Sequence, residues 1–250
     1  MDDYSELALE SAEGVFGGRE IREKRLSSRL SRLSFRVKTP LGTGEKEKEE
    51  KYHTLLMREN PLENRALQAE LTAALASSVA ALAGRKRKKV LAVGLGNPSA
   101  VVDALGAETI KLLSAGEKAG GYLATLTPSV FGVTGLETFS VVKGVAKEYN
   151  PDLILCVDTL ATRRAERLYR AVQIGAGGIA PGGGVGNRRV ALSEESLGIP
   201  VLSVGVPLLA HADRCSSLPA GLVVTPKEID LLVPLFADIL ARGVQKALEK

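Results

Sequence analysis

Two acidic side chains stand where an α/β protein could use them to move protons. Asp158 closes a nearly continuous apolar run, Asp152-Leu153-Ile154-Leu155-Cys156-Val157-Asp158, which reads as a buried parallel strand. Asp103 lies in the passage from a glycine turn, Gly94-Leu95-Gly96-Asn97-Pro98-Ser99, into a helix predicted over about 99–114. Active-site groups of open parallel sheets gather beyond the carboxyl ends of the strands, so 55 residues of sequence need not separate the two in space. Two carboxyl groups brought close can divide an acid–base reaction, one taking a proton and the other giving one. Each acid also has a plain structural use, Asp103 as a charge favoured by a helix dipole and Asp158 as the cap of a following helix.

Other chemistries fit the residues less well. The glycine turn invites a dinucleotide reading, but its third glycine position is Ser99, and the strand ending near 125–127 offers no acid for a ribose hydroxyl. Gly-Leu-Gly-Asn-Pro also resembles the opening of peptidyl-tRNA hydrolase, whose chemistry needs a histidine soon afterwards; the only histidines are His53 and His211. Gly175 to Asn187, followed by Arg188 and Arg189, could present backbone amides to an anion or an extended substrate, and no lysine follows at P-loop spacing. Asn97 in the first turn and Gly182, Gly183 and Gly184 in this second one are the candidate substrate-binding positions. Cys156 and Cys215 stand far apart, so neither a CxxC metal pair nor a disulfide framework is expected. An Asp103, Asp158 and His211 metal cluster has no spacing to support it, and no cofactor is implied.

The elements that must hold these residues read as one α/β domain with an extension. Residues 1–60 form a charge-rich N-terminal extension, with β-like segments at Leu33–Val37 and Tyr52–Met57 that suggest a hairpin or a flexible arm; residues 61–250 form the main domain. Leu67, Leu71, Leu75, Val79 and Leu82 recur at helical spacing, with Gly84 placed to cap the helix. Strands are expected at Val90–Leu95, Tyr122–Leu126, Asp152–Asp158 and Val201–Val206. Helices are expected from a Thr134–Glu137 capping box to about Tyr149, through Arg163, Glu166 and Arg170, and from Thr225-Pro226-Lys227-Glu228 onward, where Pro234 should kink the chain. Strands alternating with helices imply parallel pairing and a three-layer, mostly parallel sheet with helices on both faces.

At 250 residues, 45% hydrophobic and 25% charged, the chain can bury one sizeable core. No segment reads as a membrane span and the charged start excludes a signal peptide, so a cytoplasmic protein without membrane contact is expected. The net charge of +4 is mild, and no aromatic residues interleave with the basic ones, so direct nucleic-acid binding is not expected.

Eight segments in order carry a family likeness: Val93-Gly94-Leu95-Gly96-Asn97, Asp103-Ala104-Leu105-Gly106, Gly135-Leu136-Glu137-Thr138, Pro151-Asp152-Leu153, Val157-Asp158-Thr159-Leu160-Ala161, Pro181-Gly182-Gly183-Gly184-Val185-Gly186-Asn187, Leu197-Gly198-Ile199-Pro200-Val201 and Val224-Thr225-Pro226-Lys227-Glu228-Ile229-Asp230. Together they resemble the germination proteases of endospore-forming bacteria, with an echo at Glu6-Leu7-Ala8-Leu9-Glu10. The resemblance implies an atypical aspartic endopeptidase of the spore core that degrades small acid-soluble DNA-binding spore proteins, with Asp103 and Asp158 as its catalytic pair. It further implies a zymogen that removes its own N-terminal segment, a homotetramer, and a fold like that of hydrogenase maturation peptidases. The alternatives are a non-catalytic relative that binds peptide in the same crevice and a metal-dependent maturation peptidase.

The sequence departs from the family at its start. Four residues precede Ser5, where the likeness to the mature enzyme begins, so a removable propeptide of ordinary length is not expected. The basic stretch Arg19 to Arg36 matches no family segment. If control by self-processing survives, protein held at mildly acidic pH shortens near Tyr4–Ser5, as read by mass spectrometry; an unchanged mass contradicts it.

Overall fold

A computed structural model describes residues 7–16, 21–40, 47–84, 88–118, 121–182, 190–212 and 222–249. Gly183, Gly184, Cys215 and the Tyr4–Ser5 position lie outside them. The strands are β1 (Arg22–Arg25), β2 (Leu30–Pro40), β3 (Glu47–Met57), β4 (Lys89–Gly94), β5 (Gly116–Lys118), β6 (Gly121–Leu126), β7 (Leu153–Thr162), β8 (Ala171–Gly175), β9 (Val201–His211) and β10 (Val223–Val224). They join in one mixed sheet of order β1-β2-β3-β8-β9-β7-β4-β6-β5, with β10 on β9. At its centre β6, β4, β7 and β9 run parallel; β1, β2, β3, β8 and β5 extend the two flanks in antiparallel pairing. The long hairpin of β2 and β3 is thus continuous with the sheet that carries the rest of the fold.

The helices are α1 (Ala8–Phe16), α2 (Arg65–Ala83), α3 (Leu105–Leu112), α4 (Phe131–Thr134), α5 (Thr138–Tyr149), α6 (Glu194–Leu197) and α7 (Ile229–Leu248). Alternation along β7 separates two cores, as a buried strand must, because successive side chains point to opposite faces. Leu153, Leu155 and Val157 join the cluster of α2, α3 and α7, whereas Ile154 and Cys156 join Val142 and Ala146 of α5. Tyr52 lies in the same cross-strand row as Cys156, through Gly175 and Ser203, and packs with Leu9 and Ala12 of α1. Helices therefore cover both faces, and the protein has the α/β architecture read from its sequence. By length and composition α2 could cross a bilayer, contrary to the reading above. Here Leu67, Leu71, Leu75 and Val79 are fully buried in the main core.

Several local readings are corrected. Asp158 does not end its strand: β7 continues to Thr162, because β9 runs on to His211 and pairs with it past a bulge between Leu160 and Ala161. The predicted helix through Arg163–Arg170 is a single 3-10 turn, Ala165–Arg167, followed by β8. Tyr169 has a left-handed φ of 48° and its N–H donates to Pro207 O, while the buried Arg167 guanidinium pairs with Glu13 at 2.6 Å and Glu10 at 3.6 Å. Those contacts to α1 override helix propensity. The Thr134–Glu137 capping box is absent, because Gly135, at φ 69°, ends the short α4 and Glu137 caps α5 without a side-chain bond. The last helix starts at Ile229 rather than after Thr225. The helix predicted over 99–114 is split into a 3-10 turn, Val101–Asp103, and α3.

That split depends on close backbone approach. A Cβ on Gly106 would sit 2.4 Å from Leu95 O and from Val157 O, and one on Gly94 would sit 2.4 Å from Gly106 O. The first turn of α3 therefore rests directly on the end of β4 and the middle of β7, closer than any side chain allows. Gly106→Ala is expected to destabilise the fold by about 1–3 kcal/mol through overpacking against backbone. Urea unfolding measures this, and a midpoint equal to that of the parent protein contradicts it.

Candidate active site

The turn that carries Asp103 is built by its own hydrogen bonds. Asn97 Oδ1 accepts from Ser99 N at 3.0 Å, Asn97 O accepts from Ala100 N, and Ala100 O accepts from Asp103 N. The backbone N–H of Asn97 then donates to Asp103 Oδ2 at 2.7 Å, closing the loop onto the carboxylate. Gly96 makes this possible. Its φ is +93°, and a Cβ there would lie 2.0 Å from Asp103 O and 2.8 Å from Asp103 Oδ1. Asn97 thus shapes the turn with its side chain and holds Asp103 through its backbone N–H.

Asp158 reaches the same place from β7. It is 4% exposed, and its Oδ1 accepts from Thr159 N at 2.9 Å. The Thr159 hydroxyl points to the opposite face of the strand and donates to Val102 O at 2.8 Å, so the residue after one aspartate is tied to the residue before the other. This bond bridges 57 residues of sequence and fixes the 3-10 turn against β7. Two residues earlier, burial pushes the Cys156 thiol well above its ordinary range and the nearby Asp158 charge adds to the shift. Cys156 is therefore an inert core residue rather than a nucleophile.

Asp103 and Asp158 line one cavity of about 290 Å³, together with Gly96, Val102, Val130, Thr138, Pro181, Gly182, Leu209 and Val223. It opens where the chain leaves the carboxyl ends of β4 and β6, beside the middle of β7, near where a parallel sheet gathers its chemistry. Of the glycine-rich segment, Gly182 lines the wall at φ 71°; Gly183 and Gly184 lie outside the described residues. Leu209 and Val223 carried no local signal. Leu209 reaches the wall only because β9 runs past its predicted end, and Val223 because β10 folds back onto β9. Among the described residues no cluster of three or more His, Cys, Asp or Glu groups could hold a metal ion. His211, at the end of β9, pairs with Val223 across the strands. The site thus offers two carboxyl groups in a mainly apolar pocket, an arrangement suited to proton transfer.

A family profile described as germination protease matches residues 32–218. Among curated relatives, the germination protease of Caldanaerobacter subterraneus subsp. tengcongensis is 34% identical over 78% of this chain and 75% of its own length. That of Clostridium tetani is 33% identical over 64% of this chain and 66% of its own, and that of Oceanobacillus iheyensis is 41% identical over 53% and 39%. A [NiFe] hydrogenase maturation protease, HycI, from Thermococcus kodakarensis aligns in structure at 18% identity with a TM-score of 0.41, covering 64% of this chain and 94% of that one. The profile runs through both aspartate segments, and the chain belongs to the germination protease family, whose members are peptidases that hydrolyse peptide bonds.

Proposed function

We propose that this chain is an endopeptidase that cuts small acid-soluble DNA-binding spore proteins during germination, with Asp103 and Asp158 as the catalytic pair. One observation supports the pair above the rest: two acids 55 residues apart in sequence face a single cavity beside the central parallel strands. Like charges held close resist joint ionisation, so one carboxyl retains a proton while its neighbour is ionised. The ionised group draws a proton from an attacking water, and the protonated one delivers its proton to the departing amine. Preorganisation comes from the backbone, with Asn97 N on one carboxylate and Thr159 N on the other. An apolar wall strengthens these interactions by keeping bulk water away from them. The same reading takes the protein to be a homotetramer of the spore core, made as a zymogen that trims its own N-terminal segment.

Asp103→Asn and Asp158→Asn each remove an ionisable group with little change of shape. Each is expected to lower the cleavage rate of a small acid-soluble spore protein by at least about a thousandfold, since the two carboxyls act as a unit. Circular dichroism and the unfolding midpoint should remain those of a folded protein. Discrete fragments resolved by mass spectrometry report the activity. Near-parental cleavage by either variant removes that residue from the mechanism.

A further inference from the structure

The loop between β6 and α5 is unusual for a surface segment of this chain. From Thr127 to Leu136 it holds no charged residue, in a protein that is 25% charged. Phe131, Val133 and Leu136 are 48%, 60% and 58% exposed. Single exposed apolar residues are ordinary, but three within six positions form a patch, and patches mark contact surfaces. The backbone beneath them is fixed. Val133 N and Thr134 N donate to Val130 O, Gly135 N donates to Phe131 O, and Thr138 Oγ1 donates to Ser129 O. Ser129 takes a left-handed φ of 63° and Gly135 one of 69°. An apolar surface displayed on a preorganised turn loses little entropy when something binds it.

The position of the turn says what binds. Its two ends, Val130 and Thr138, line the aspartate cavity, so the exposed turn is a direct extension of the cavity wall. β10 borders the same cavity: Val223 lines it, and Val223 and Val224 are 38% and 36% exposed. A polypeptide whose peptide bond reaches Asp103 and Asp158 passes this rim. We propose that Phe131, Val133 and Leu136, together with Val223 and Val224, form an apolar grip for an extended substrate segment that flanks the cut site. This rests on the peptidase reading above and adds to it the part of the substrate that is recognised.

The test compares an intact small acid-soluble spore protein with a short peptide containing only its cut site, using the full chain with Phe131→Ser, Val133→Ser and Leu136→Ser combined. KM for the intact protein is expected to rise about tenfold, and kcat/KM on the protein relative to that on the peptide to fall by a similar factor, because the lost contacts are ground-state binding. A conservative pair, Phe131→Leu with Val133→Ile, keeps the apolar surface and is expected to hold KM within about twofold of the parent. An unchanged KM in the triple variant overturns the grip. So does a shift in sedimentation velocity with KM unchanged, which would assign the turn to contact between copies of the chain. If the parent protein cuts neither substrate, the peptidase reading fails first and the grip falls with it; cleavage by the parent with an indifferent triple variant defeats the grip alone.

Discussion

The site depends on how closely the first turn of α3 approaches the sheet. Gly94 and Gly106 let backbone meet backbone at a separation that a single methyl group would forbid, and Gly96 lets the intervening loop turn tightly enough to wrap the Asp103 carboxylate. These glycines leave the 3-10 turn Val101–Asp103 lying on β7, where the Thr159 hydroxyl secures it. Remove that approach and Asp103 moves away from Asp158 before any chemistry is considered. The spacing Gly-Leu-Gly-Asn followed by Asp-Ala-Leu-Gly is therefore a packing requirement as much as a sequence signature.

A second constraint comes from the start of the chain. Glu10 is a buried carboxylate at the far end of β7, where it accepts from Arg163 N at 3.0 Å and from the Thr162 hydroxyl and pairs with Arg167. Glu13 adds a two-pronged bond to the same guanidinium at 2.6 and 2.7 Å. Charges buried this deeply are tolerated only when paired and hydrogen-bonded, so α1 is held in one register on the sheet. The strand that carries Asp158 is thus braced at its centre by α3 and at its end by α1. Leu9, Ala12, Phe35 and Tyr52 complete that contact with apolar packing, and the Phe35 and Tyr52 rings stack at 5.6 Å.

What the sequence made legible was local: the apolar run of β7, the helical spacing of Leu67 to Val79, and the glycine turn after β4. What escaped it was set by partners far along the chain. Residues 163–170 carry helix-forming charges, yet Glu10 and Glu13 draw Arg167 inward and β8 follows. Thr159–Thr162 extend β7 only because β9 offers matching backbone groups, which buried an aspartate expected at a strand end. The bond from Asn97 N to the Asp103 carboxylate was not legible either, because it depends on the fold of the turn rather than on residue type. Both aspartates could be picked out from residue type and strand position, but their shared cavity depends on Leu209, Val223 and Thr138, none of which stands near either acid in sequence.

In the proposed mechanism the two carboxyls work as one device rather than as two separate contributors. Kinetics of the Asp103→Asn, Asp158→Asn double variant, set against the two single variants on one spore-protein substrate, addresses it most directly. A shared-proton pair predicts that the double variant is no slower than the more damaged single one, since losing either member disables both. Losses that multiply in the double variant would show independent roles and contradict the account.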